Sequence, residues 1–191
     1  MDGIYCDSRE QAVDEILKMI PEGSLVGLGG SESIIEAGLV DALRKMDIRL
    51  LDRYKEGITT EEVNQMRHEG LNSDVYIASS NAVTVDGKLV NIDGTGNRVA
   101  AMIFGPSKVI LLVGMNKVVK TLDDALSRVK NYTAPLNSVR VNIQTPCFHQ
   151  GYCNDPHCHP PNRICSQIVI HENSMDLDRI MVVFVGEELG Y

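Results

Sequence analysis

Short apolar runs and helix-patterned segments take turns along this chain, and few folds accommodate that order. "SLVGLGG" (24–30) leads into "SESIIEAGLVDALRKM" (31–46), "IRLLD" (48–52) into "TTEEVNQMRHEGL" (59–71), and "KVILLVG" (108–114) into "TLDDALSRVKN" (121–131). Between them stand "DVYIASS" (74–80) and the helix-patterned "GNRVAAMIFG" (96–105), and "RIMVVFV" (179–185) is the last strand. Strands separated by crossover helices pair in parallel, so the spacing predicts an α/β fold: a mostly parallel open sheet with flanking helices. Ahead of the first unit, Ser8 with Gln11 resembles a capping box. Ala12, Val13, Ile16, Leu17 and Ile20 then form one apolar helical face, which Pro21 ends. Thr59 is placed to cap the helix after it. The alternation breaks once, at "VTVDGKLVNI" (83–92), where Asp86–Gly87 between β-formers predicts an inserted hairpin with a two-residue turn.

A length of 191 residues suits a single domain spanning 1–191, with a Cys-rich loop at 146–165. The formal charge is −8 and no Lys/Arg run occurs, so a nucleic-acid partner is not expected. The apolar stretches fall well short of the roughly 20 residues that span a bilayer, and "MDGIYCDSREQ" lacks a signal-peptide layout, so no membrane is expected and a cytoplasmic location is. In a reducing compartment, clustered cysteines ligate metal or react more often than they form disulfides, which leaves the isolated Cys6 incidental.

"GLGGSESIIEAGL", "SSNAVTVDGKLVNIDGTGNRVAAMIFGPSKVILLVGMNK", "APLNS", "PCFHQGYC" and the terminal "VGEELGY" together resemble the LUD (lactate utilisation) domain family, from about Val13 onward. The resemblance implies a fold like that of the glucosamine-phosphate deaminases, ribose-phosphate isomerases and CoA transferases, with a site at the carboxyl ends of the strands. It also implies a link to oxidation of lactate-type hydroxy acids. Members usually carry a further N-terminal helical segment, so the resemblance leads to the expectation of extra exposed apolar surface on the helix from Ser8 to Ile20. No residue is matched here to the glutamate nucleophile of CoA transferases, so that chemistry is not carried over, and Glu36, Asp52, Glu187 and Glu188 are carboxylates whose spatial relations the sequence hides. No Ser-His-Asp or Cys-His constellation is recognisable.

Three stretches are candidate contacts for a small anionic substrate. Gly29, Gly30, Ser31 and Ser33 form a glycine turn after a strand, suited either to an anion or simply to a capped strand-to-helix connection. In "NIDGTGNR", Asp93, Gly94, Gly96, Asn97 and Arg98 open a helix; Arg98 could grip a planar acid group or pair with Asp93. The resemblance favours a pocket there. Asn116 and Lys117 follow a buried strand at the end where α/β sheets bind ligands. Asn81, with Ser79 and Ser80, adds polar groups to the same rim. A pocket of Asn81, Asn97, Arg98 and Lys117 beside the Gly29–Ser33 turn would suit a small carboxylic acid or phosphate.

The stretch "PCFHQGYCNDPHCHPPNRIC" (146–165) gathers four of the five cysteines and three of the five histidines. Cys147, Cys153, Cys158 and Cys165 follow a C-x5-C-x4-C-x6-C spacing, not the paired CxxC of a zinc ribbon. Four soft thiolates on a proline-stiffened loop suit an iron–sulfur cluster or zinc. The wide central gap brings His157 or His159 into reach as a substitute ligand, and an inert loop is the plain alternative. Two functions follow. One is an enzyme or enzyme subunit that binds a small acid or an acyl or phosphate ester. The other is a non-catalytic assembly module with a structural centre. Redox partner subunits and a homo-oligomer are compatible with both.

Overall fold

The computed structural model describes residues 1–155 and 157–191; Pro156, inside the expected Cys-rich loop, lies outside the described residues. The first elements in chain order are β1 (Asp2–Cys6), α1 (Arg9–Lys18), β2 (Leu25–Leu28), α2 (Glu32–Glu36), α3 (Leu39–Leu43), β3 (Arg49–Leu51), α4 (Thr60–Glu69) and β4 (Val75–Ala78). The hairpin β5 (Ala82–Thr84) and β6 (Leu89–Asp93) follows, then α5 (Asn97–Ile103), β7 (Lys108–Gly114) and β8 (Val118–Val119). The chain continues through α6 (Leu122–Arg128), α7 (Ala134–Arg140), α8 (Pro146–Gln150), β9 (Gln167–His171) and β10 (Ile180–Val185). The chain divides into two compact units. The first comprises Met1–Ser79, Ala100–Asn116 and Asn173–Gly190; the second comprises Ser80–Val99, Lys117–Glu172 and Tyr191.

The first unit carries a six-stranded sheet in the order β1-β10-β7-β4-β2-β3, parallel at every pairing. Strands β4 and β7 lie inside it and are buried almost throughout, which is why they read as continuous apolar runs. Ile16, Ile34, Leu39, Leu43, Ile77, Ile110 and Leu112 build the core, each contributing about 1.5–3 kcal/mol by burial. Ser8 caps α1 through Gln11; Ala12, Val13, Ile16 and Ile20 are buried and Leu17 is part-buried against the same core, so most of the apolar face expected to be exposed is covered. The segment 31–46 is two five-residue helices; Gly38, at φ 72°, breaks the run that its apolar spacing suggests. Strand β1 was not anticipated. It pairs in parallel with β10 and places Cys6 in the core at 1 % exposure.

The second unit holds a four-stranded sheet, β8-β5-β6-β9. The hairpin β5–β6 is present, but its turn has three residues. Thr84 pairs with Lys88, the Gly87 N–H donates to the Thr84 carbonyl at 2.9 Å, and Gly87 takes φ 90° as a bulge. Strand β9 continues the sheet antiparallel to β6. Helix α6 starts from a Thr121–Asp124 capping box and runs through a π-helical stretch, Val129–Thr133, into α7. Pro135 brings no N–H to that ladder, and the helix widens just before it. Ala82, Val90, Ile92, Ala125 and Val129 form this unit's core.

Candidate functional site

In the first unit the chain runs outward from β2 to β3 and then returns to β4, so the strand order reverses between β2 and β4. Open α/β sheets bind ligands beyond the carboxyl ends at such a reversal. The turn Gly29–Ser31 leaves β2 there, with the Gly29 N–H bonded to the Ile77 carbonyl of β4 at 2.8 Å. The Tyr54 hydroxyl clasps the turn, accepting from the Ser31 N–H at 2.9 Å and donating to the Gly29 carbonyl at 2.9 Å. The Arg53 guanidinium lies 3.5 Å from where a Cβ on Gly30 would stand. Ser31 is 8 % exposed and its Oγ has no hydrogen-bond partner among the described residues. Arg53 and Tyr54 were missed by sequence reasoning. They follow a three-residue strand, and only its pairing with β2 brings them to the turn.

Two other candidates of this unit serve the C-terminal segment. The Ser33 hydroxyl donates to the Leu189 carbonyl at 3.1 Å, and Asn116 binds Leu189 and Gly190. Glu36 accepts from the Gly190 N–H, and Glu187 takes Arg9 on both its carboxylate oxygens. Asp52 divides its oxygens between Arg44 and the Tyr54 N–H.

In the second unit, Arg98 is 7 % exposed and engages Asp93 through Nε at 3.0 Å and Nη2 at 2.7 Å. Its Nη1 donates to Asn91 at 2.5 Å and Nη2 also reaches Asn81 at 3.0 Å. Asp93 meanwhile accepts from the Arg98 and Val99 N–H groups, capping α5. The expectation of an Arg98 fork free to face a ligand is therefore corrected: this guanidinium is spent on protein acceptors, and it braces the hairpin. Gly94 packs against Ile164 and Gly96 against the Gln167 side chain. Asn97 accepts from the Thr95 hydroxyl, and Lys117 is buried at 3 % exposure. Asn81, Asn91, Asp93 and Arg98 are thus brought together, whereas Gly29, Gly30, Ser31, Ser33 and Asn116 belong to the other unit.

Cys147, Cys153, Cys158 and Cys165 are all free thiols, and all four line one cavity of about 390 Å³ together with Lys130, Thr145 and Arg163. Hydrogen bonds tether all four. The Thr145 hydroxyl lies 3.1 Å from the Cys147 sulfur, and the Cys153 N–H donates to Asn131 at 3.2 Å. Arg163 ties two of them, donating to the carbonyls of Cys158 and Cys165 at 2.7 Å each. Burial, and then the neighbouring Cys147 and Cys153, push the Cys165 thiol up to about 11, against a smaller pull from Arg163. Cys158 is raised as well, first by burial. His149, His157 and His159 line a second cavity of about 330 Å³ with Cys158 and Asp155. Among the described residues, no three His, Cys, Asp or Glu side chains are placed to hold one metal ion. None of the helices among the described residues is long and apolar enough to cross a membrane.

A family model of the LUD domain matches residues 1–185. No curated protein matches the sequence. Among solved structures, a DUF162 family protein from Deinococcus radiodurans is similar at a TM-score of 0.52 and 15 % identity, covering 97 % of this chain and 88 % of that one. Ribose 5-phosphate isomerase A from Methanocaldococcus jannaschii gives 0.38 and 15 %, covering 88 % and 80 %. The eIF2B beta subunit from Chaetomium thermophilum gives 0.42 and 18 %, covering 61 % of this chain and 44 % of that one. At these identities the DUF162 likeness shows the fold alone.

Proposed function

Because this chain belongs to the LUD domain family, which is associated with lactate utilisation, we propose that it serves hydroxy-acid redox metabolism through a cysteine-held metal centre. The observation that supports this is the set of four disulfide-free thiols around one cavity. In donor chemistry they fit an iron–sulfur cluster or zinc. In their present arrangement the described side chains do not close on a common ion. Cys147, Cys153, Cys158 and Cys165 would hold the centre, which would supply one-electron transfer if iron–sulfur and a loop staple if zinc. The chain's own part is to offset thiolate charge with Lys130 and Arg163 and to fix the loop through Thr145, Asn131 and Arg163. Anaerobic purification followed by iron, sulfide and zinc analysis tests the reading. A brown protein with iron and sulfide supports redox work, and stoichiometric zinc supports the non-catalytic assembly module. Protein that neither retains nor takes up metal overturns the centre.

A second reading concerns the substrate. The Gly29–Ser31 turn stands at the strand-order reversal of a parallel sheet, which favours a small organic acid or a phosphate or acyl ester bound at the strand ends of the first unit. A binding panel of lactate, related hydroxy acids and phosphate tests it; no binding by the intact protein overturns it.

A further inference from the structure

The turn after β2 carries a cation that no acid among the described residues pairs by a hydrogen bond or salt bridge. Arg53 holds its guanidinium atoms Nη1, Cζ and Nη2 within 3.5–3.6 Å of where a Gly30 Cβ would stand, and 5.9 Å from the centre of the Tyr54 ring. Tyr54 is itself bonded to both sides of the turn, so the turn, ring and guanidinium form one block. The nearest acid in sequence, Asp52, is committed to Arg44 and to the Tyr54 N–H. Among the described residues, the Arg53 side chain has no hydrogen bond or ion pair. In the next residue of the turn, the Ser31 hydroxyl is without a partner among the described residues although Ser31 is 8 % exposed.

We infer that Arg53, Gly30 and Ser31 form a subsite for a small oxyanion, the carboxylate of a hydroxy acid or a phosphate. The inference rests on the small-acid reading of the first unit and names the group that selects the ligand. A guanidinium offers a planar fork that matches a carboxylate in two parallel bonds and also suits phosphate. The cation–π contact with Tyr54 favours this placement of the fork, so less freedom is lost on binding. Glycine at position 30 leaves the space next to the guanidinium open. The Ser31 hydroxyl supplies a neutral donor alongside the charged one.

The test uses the full chain, labelled with ¹⁵N and titrated separately with lactate and with inorganic phosphate, following the Gly30 amide. In the parent protein that amide shifts saturably with at least one of the two, and which one responds identifies the source of the oxyanion. Arg53→Gln weakens that binding about tenfold or more, the loss of one charge-assisted contact. Gly30→Val produces the same loss with Arg53 intact, because the added side chain fills the open space. Arg53→Lys, which keeps the charge but not the fork, loses lactate binding more than phosphate binding. Equal affinity in the parent protein and Arg53→Gln overturns the assignment of Arg53 and leaves the small-acid reading standing. If neither anion binds the parent protein, the small-acid reading fails and the subsite fails with it.

Discussion

Asn116 pairs its side-chain amide with the last turn of the chain: Nδ2 donates to the Gly190 carbonyl at 3.0 Å while Oδ1 accepts from the Leu189 N–H at 3.2 Å. Leu189 is fully buried in the first unit's core, and Gly190 sits at φ 57° with no room for a side chain, since a Cβ there would meet the Ser33 Oγ at 2.7 Å and the Ser33 N at 2.9 Å. The segment after β10 is therefore a fixed part of this unit. Asn116→Ala removes two hydrogen bonds, and Gly190→Ala adds both a clash and a left-handed strain; each is expected to cost about 1–3 kcal/mol. Denaturant unfolding checks both. Parent-like midpoints would show the segment to be a loose end.

The same segment has an acid dependence. The Arg9 N–H and guanidinium hold the Glu187 carboxyl below its usual range. A lowered folded value means stability that is present above the ordinary carboxylate pKa and is lost as pH falls through the folded one. Glu187→Gln is expected to flatten that part of the acid limb in a series of unfolding curves. An unchanged slope would show that Arg9 does not act through this carboxylate.

Arg98 gives a prediction about the hairpin. Its partners Asn81, Asn91 and Asp93 are fixed by the β5–β6 register, in which Ala82 faces Val90. Arg98→Met leaves the Asp93 charge buried without its partner and is expected to cost about 3–5 kcal/mol. Arg98→Lys should recover little, because one ammonium cannot reproduce a fork that serves Asp93, Asn91 and Asn81 together. Thermal unfolding of the three proteins measures this, and full rescue by Lys would reduce the network to simple charge pairing.

The parallel sheet was legible because β4 and β7 are buried on both faces and leave unbroken apolar runs, and α4 because Thr59 and Glu62 complete its cap. Strand β1 was not legible: a five-residue strand with little burial outside Cys6 exists through its pairing with β10, some 180 residues away in sequence. The site was legible only by residue type. "NIDGTGNR" showed an arginine beside an aspartate, but not that Asn91 of the same strand and Asn81, just ahead of β5, also accept from the guanidinium. Arg53 and Tyr54 drew no attention, since nothing within "DRYK" records that β3 will pair with β2.

Cys165 predicts an alkaline weakness in metal-free protein. Its folded value of about 11 stands above the ordinary 9.0. Below pH 9 both states keep the proton and the contribution is complete. Between pH 9 and 11 the unfolded chain releases the proton while the folded one retains it, so unfolding free energy falls as pH rises. Cys165→Ala should reduce that slope, leaving the part that the raised Cys158 contributes. Denaturant curves from pH 7 to 11 check it, and identical slopes in both proteins would place the alkaline loss elsewhere.

The centre itself makes the last prediction, and Arg163 sharpens it. Metal binding needs thiolates, and a raised thiol must surrender its proton, so uptake of Co²⁺ by metal-free protein is expected to release protons and to strengthen with pH. Cys153→Ser and Cys165→Ser should each lose most of the bound metal. Cys6→Ser should retain it, since Cys6 is a core residue of the other unit and at most lowers that unit's stability. Arg163 bonds the carbonyls of Cys158 and Cys165, so it presets two of the four ligands. Removing such an outer partner weakens metal sites about 10–100-fold, and Arg163→Ala should fall in that range with Cys6 still protected from thiol reagents. Full metal content in both Cys153→Ser and Cys165→Ser would overturn the thiolate centre. Full affinity in Arg163→Ala alone would leave the centre and remove only the role of the arginine.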